Sequence, residues 1–189
     1  MQPGFGEHSF NRMEEDSKFF DVLREKLLRW DMQNNKLVTI CTEVINAKLF
    51  IRYIDSTKCA EEGASMARIR PGLSLEERAT LKLQTKVLDT QYRLVKQLKK
   101  LGDTHKDIQD HVTFLKAEDH FHGIIRLGAL KKNYASKLLN LVSTQYANEL
   151  SLKNKLVEDV MCRHDRETLS DHVHTLQMEP FVQNLSKSI

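Results

Sequence analysis

Residues 23–51, "LREKLLRWDMQNNKLVTICTEVINAKLFI", carry the pattern that decides the fold. Leu23, Leu27, Trp30, Asn34, Leu37, Cys41, Val44, Lys48 and Ile51 recur at alternating spacings of four and three. A helix with that repeat keeps one face against a neighbouring helix. Two seam positions, Asn34 and Lys48, are polar. Asn34 either fixes register through a buried amide or meets water where the seam drifts, and the spacing permits both. Trp30 reads as packing, because an aromatic at a seam position buries a large apolar area. The block predicts a helix from about Ser17 to Ile54, preceded by a disordered N-terminus over residues 1–16.

Outward from this block, residues 55–73, "DSTKCAEEGASMARIRPGL", lose the periodicity and contain Gly63 and Pro71-Gly72, so they read as a loop. Ser74 followed by Glu77 is a capping box that starts the next helix. Leu81, Leu88, Val95 and Leu98, with Val87, Leu94 and Leu101, then predict one broad apolar face. A pause is expected at Gly102-Asp103, after which Ile108, Val112 and Leu115 resume the pattern. A third helix is expected from Gly128 to about Arg163. Its stripe is Leu139, Val142, Tyr146, Leu150, Val157 and Met161, widened by Leu138, Leu152, Leu156 and Val160. A face that wide can touch two neighbours in a bundle. A short last helix is expected over Leu169 to Leu176. Pro180 then holds Phe181 and Val182 in an extended segment, with Phe181 as a terminal aromatic anchoring its own core. Residues 183–189 read as a flexible end.

Composition agrees with helices. The 189 residues are 29% charged and 7% aromatic, with 7 glycines and 3 prolines, which is poor in the turn residues a sheet protein needs. A net charge of +3 gives little support to a direct nucleic-acid partner. No apolar run reaches the ~20 residues of a membrane span, and the N-terminus lacks the basic and apolar regions of a secretory signal. Cys41, Cys59 and Cys162 are widely spaced and read as reduced thiols of an intracellular protein.

No catalytic motif emerges. The chain has no phosphate-binding GxxxxGK[ST] loop and no GxSxG elbow. His120 and His122, like His172 and His174, are two residues apart, and on a helix such pairs point in different directions. Cys162 and His164 add no second pair at zinc-site spacing, so neither metal nor cofactor is expected. The basic run "VKQLKKLGDTHK" reads as a solvated face. Contact through helical seams is the expected work of the molecule.

The C-terminal stretch also carries a resemblance. Tyr146, Glu149, Leu150, Leu152 and Lys153 are followed by Leu169-Ser170 and a closing Pro180-Phe181-Val182. "LLRWDMQN", with Trp30 and Asn34, and then Asn46 and Lys48 stand near the start. Lys100-Leu101, Thr104, Lys106 and Ile108 stand in the centre. In this order the segments, about two-thirds of the chain, resemble the cyclin-dependent kinase 2-interacting protein family of small helical adaptors. Residues 116–133 depart from it, since "HFHGIIRLGALKK" lacks the family's Pro- and Trp-containing loop, and a Trp before Pro180 is missing.

The resemblance implies a non-catalytic subunit of a nuclear AAA+ ATPase assembly, paired with a second small helical protein. It further implies links to cell-cycle kinases, to the replication checkpoint through its kinase-interacting subunit, and to maturation of the large ribosomal subunit. It makes Trp30, Asn34, Tyr146, Glu149, Leu150, Leu152, Lys153, Pro180 and Phe181 the candidate partner-binding residues. The expected architecture is all-α: long antiparallel helices in a coiled-coil-like hairpin or bundle, with a short C-terminal helix and an extended tail. One domain is expected over residues 17–182, in the nucleus with the cytoplasm as a second compartment. The alternative is a structural coiled-coil subunit of a kinetochore, tethering or cytoskeletal complex.

Overall fold

The computed structural model describes residues 7–62, 74–117, 129–163 and 165–182. These form four helices and no strand: α1 (Glu7–Glu62), α2 (Leu75–Ala117), α3 (Ala129–Cys162) and α4 (Arg166–Met178). The all-helical class is as the periodicity predicts. The boundaries follow the glycines and prolines more closely than they follow the heptads. Between Gly6 and Gly63 the sequence has neither residue, and α1 fills that interval. Residues 7–16, expected to be disordered, are therefore helical, and so are residues 55–62 of the expected loop. Loss of an apolar stripe does not end a helix whose residues still have helical propensity. The remainder of that loop, most of segment 116–133 with His120 and His122, and residues 183–189 lie outside the described residues.

Helix ends form by local hydrogen bonding. The Ser74 amide donates to Glu77 Oε2 at 2.6 Å and the Glu77 amide donates to Ser74 Oγ at 3.1 Å, the reciprocal pair of a capping box. Asp165 caps α4 through its Oδ2, which accepts from the Thr168 amide at 3.1 Å. After Met178, Glu179 adopts a left-handed φ of 44° and Pro180 follows, a usual way to end a helix. The Val182 amide donates to the Glu179 carbonyl at 3.0 Å. The tail is thus a closed turn over Glu179–Val182 and not an extended strand, because the left-handed residue reverses the chain before the proline can extend it.

The chain divides into two compact units. One takes its described residues from Met1–Asn34, Lys100–Leu152 and Glu179–Ile189. Its buried side chains include Leu23, Trp30, Leu101, Ile108, Val112, Leu139, Val142, Tyr146 and Val182. The other takes Asn35–Lys99 and Lys153–Met178. Leu37, Cys41, Val44, Val87, Leu94, Val157, Val160, Leu169 and Leu176 are buried there. Full burial of one such Leu or Val stabilises by about 1.5–3 kcal/mol, so these repeats dominate over local propensity.

Helix α2 does not pause at Gly102; it continues unbroken through Ala117. The glycine's helical cost of about 1 kcal/mol is smaller than the gain from burying Leu101 and Thr104 beside it. A Cβ built at Gly102 meets nothing within 4 Å. Gly102→Ala should therefore stabilise the protein by about 0.5–1 kcal/mol, read as a higher midpoint in chemical denaturation. A lower midpoint would show that the helix is not regular at this position.

Candidate functional site

In the first unit, the polar side chains converge on the end of the chain. Trp30 is wholly buried, with its ring edge-on to Tyr146 at 5.1 Å and to His105 at 6.5 Å between centroids. Its Nε1–H donates to Glu179 Oε1 at 2.9 Å. Phe181 donates its backbone N–H to Glu149 Oε2 at 3.0 Å, and Glu149 is itself completely buried. Two side chains from α1 and α3 thus grip the closing turn on either side of Pro180. A non-glycine residue held at positive φ costs about 1 kcal/mol or more. The Trp30 bond to the Glu179 carboxylate helps to offset it. Nearby, Ser143 Oγ donates to Gln109 Oε1, and Gln109 Nε2 donates to the Ser143 carbonyl at 2.8 Å.

In the second unit two cations, Lys48 and Lys153, are buried along with Thr90 and Gln97. Lys48 Nζ donates to the carbonyls of Val160 (2.7 Å), Met161 (2.6 Å) and Arg163 (3.1 Å), at the C-terminus of α3. Those are carbonyls that a helix end leaves unpaired, at the negative pole of the helix dipole. Lys153, with no exposed surface, donates to the Leu176 carbonyl at 3.3 Å near the end of α4. His172 of α4 meets Asp159 of α3 at 3.2 Å. Residue numbers fall along α4 as they rise along α3, so the short helix runs back along α3.

These groups are chemically quiet. Burial pushes the Cys41 thiol up to about 12, against a smaller opposing effect of the Lys153 charge, so it is not a thiolate nucleophile at neutral pH. Burial also raises the Tyr146 hydroxyl above its ordinary value, with help from the charges of Asp31, Glu179 and Glu149. Among the described residues no group of three His, Cys, Asp or Glu side chains could hold a metal. What these side chains do is hold backbone.

The structure sorts the candidate partner-binding residues. Trp30, Asn34, Tyr146, Glu149 and Lys153 are buried inside the chain. Leu150 and Leu152 are half-buried, and Pro180 and the Phe181 ring are exposed. For Asn34 the buried reading is the correct one, and its Oδ1 has no hydrogen-bond partner. The expected terminal anchor shifts by one residue: Val182 is buried and the Phe181 ring is not. On α3 the buried seam is Leu139, Val142, Tyr146, Glu149, Lys153, Leu156 and Val160. The stripe expected through Leu150 followed the apolar letters and passed over two buried ionisable residues.

Helix α2 holds the signal that a single broad face concealed. Its buried positions are Val87, Thr90, Leu94, Gln97, Leu101, Thr104, Ile108, Val112 and Leu115, spaced by three and four. The threonines remain buried by donating to carbonyls one turn back, Thr90 to Lys86 at 2.7 Å and Thr104 to Lys100 at 3.0 Å. On the opposite side Leu81 (49% exposed), Leu88 (67%), Tyr92 (69%) and Val95 (50%) form a second stripe with heptad spacing. On α1, Phe50 and Tyr53 are also exposed and stacked at 6.4 Å.

Two outcomes test the grip on the turn. Glu149→Leu should lower stability by roughly 1–2 kcal/mol, because the Phe181 amide loses its acceptor, and Glu149→Gln should recover most of it; equal losses would mean that this bond contributes nothing. Burial lowers the His105 pKa below the ordinary 6.5. The unfolded chain therefore binds the extra proton first, and stability rises with pH across that window. The contribution of neutral His105 is complete above pH 6.5 and is lost progressively as pH falls from there through the lower pKa of the folded state. Denaturation midpoints from pH 7.5 to 5.5 should fall more in the wild type than in His105→Gln; parallel curves would contradict the assignment.

Compared with models of known protein families and with curated proteins, the chain matches none.

Proposed function

We propose that the chain is a non-catalytic helical adaptor of the kind represented by the cyclin-dependent kinase 2-interacting protein family. In this reading it joins a nuclear AAA+ ATPase assembly that acts in DNA replication and genome maintenance and in large-ribosomal-subunit maturation. Its partners there are the ATPase subunits and a second small helical protein, with cell-cycle kinases and the checkpoint kinase-interacting protein as further contacts. The long helices pair as a coiled-coil-like antiparallel hairpin, and a partner helix is added on the outside.

One observation carries the reading. Helix α2 buries one heptad seam within the chain and leaves a second, through Leu81, Leu88, Tyr92 and Val95, in solvent. Single exposed apolar residues are ordinary on a protein surface, but a continuous stripe at heptad spacing is the face that another helix takes. The candidates Trp30, Asn34, Tyr146, Glu149 and Lys153 are buried within the chain itself. Leu150, Leu152, Pro180 and Phe181 keep accessible area for contact.

The test is affinity purification of the tagged full chain from its own cells, beside a Leu88→Gln, Val95→Gln variant that leaves the core untouched. Recovery of AAA+ ATPases with a small helical protein, reduced at least several-fold in the variant, is the expected outcome. Recovery of only kinetochore, tethering or cytoskeletal subunits would replace the adaptor reading with a structural coiled coil.

A further inference from the structure

We propose that the outward face of α2 between Leu81 and Lys99 docks an acidic amphipathic helix from a second protein. The inference rests on the adaptor reading and specifies the chemistry of its partner. From Arg78 to Lys99 the sequence holds six basic residues, Arg78, Lys82, Lys86, Arg93, Lys96 and Lys99, against one acid, Asp89. The chain as a whole is nearly balanced, with 29 basic and 26 acidic residues, so the excess is local. Arg93 is engaged by Glu43 of α1 at 3.0 Å. Lys82, Lys86, Lys96 and Lys99 are all exposed, on the same stretch of helix as Leu81, Leu88, Tyr92 and Val95.

A narrow apolar stripe bordered by charges is how helices select one another, the apolar residues supplying affinity and the flanking charges supplying partner choice. A glutamate-flanked helix satisfies both parts. A second copy of this chain does not, since two such faces bring like-charged lysines together. A nucleic acid would use the lysines but gives no role to Leu81, Leu88 and Val95, because its backbone is read by cations. A membrane surface calls for a wider apolar face than one seam.

Two labelled synthetic helices, each with leucine at the seam positions, serve as probes. One carries glutamate on both flanks and the other carries lysine. Titration of the full chain should show the glutamate peptide binding, with affinity falling as salt rises. The combined reversal Lys82→Glu, Lys86→Glu, Lys96→Glu, Lys99→Glu should weaken it by about tenfold or more and favour the lysine peptide. If that variant does not fold, opposite salt responses of the two peptides on the wild type make the same discrimination. The proposal is overturned if neither peptide binds or if both bind equally. It is also overturned if the face instead mediates self-association, or binds anionic vesicles or duplex DNA more tightly than the glutamate peptide. In the purification from cells, loss of partners in Leu88→Gln, Val95→Gln but not in the charge reversal overturns the acidic chemistry and leaves the adaptor reading standing. Retention in both variants overturns the stripe as a docking face altogether.

Discussion

The indole of Trp30 donating to Glu179, and the Phe181 amide donating to Glu149, fix the turn that follows α4. Both acceptors are carboxylates and both bonds are partly buried, so a missing partner would cost more than in open water. The turn that they hold contains a left-handed Glu179 with a proline next to it. The same economy of means appears in the second unit, where Lys48 and Lys153 occupy the carbonyls at the ends of α3 and α4. Helix ends left unpaired in a buried setting are unstable, and here long cations reach them from other helices or from other turns.

This explains which parts of the molecule were legible in the sequence. The seam of α1 could be read residue by residue from Leu23 to Lys48, because burial there follows the heptad with few exceptions. The capping box at Ser74 and Glu77 was equally clear, since it is local chemistry. On α3 the reading failed at Glu149 and Lys153, whose charges suggest solvent and whose partners lie far away in sequence. No spacing rule places a glutamate opposite the amide of a residue beyond the next helix. On α2 the letters showed Leu81, Val87, Leu88, Leu94 and Val95 as one apolar face, whereas Thr90 and Gln97 belong to the buried seam and Leu88 does not. Periodicity alone cannot tell a wide buried face from two narrow seams back to back. Of the residues that the resemblance named for partner contact, Trp30 near the start and Tyr146, Glu149 and Lys153 in the C-terminal stretch are instead buried within the chain.

The proposed function draws on what the interior leaves over. The ionisable groups within it are occupied by backbone partners or driven away from reactivity, as the Cys41 thiol and Tyr146 hydroxyl are. The surface of α2 is different in kind, with apolar residues at helical spacing among lysines. An adaptor needs this division: a core that forms without help and a face whose charge selects a partner. On the proposed reading, the exposed residues of α2 are the ones that serve another chain.

The first unit depends on the closing turn being held against Trp30 and Glu149, with Val182 inside and Pro180 and the Phe181 ring outside. The chain has one tryptophan, so its indole N–H gives a single resolved NMR signal. Exchange of that proton with deuterium in the isolated full chain tests the claim directly. If Trp30 is buried against Tyr146 and bonded to Glu179, its exchange should be slowed by several orders of magnitude relative to a free indole and should quicken in Glu179→Ala. Exchange at the rate of a free indole, or a rate indifferent to Glu179, would mean that the turn does not close on Trp30 and that the core is organised by something else.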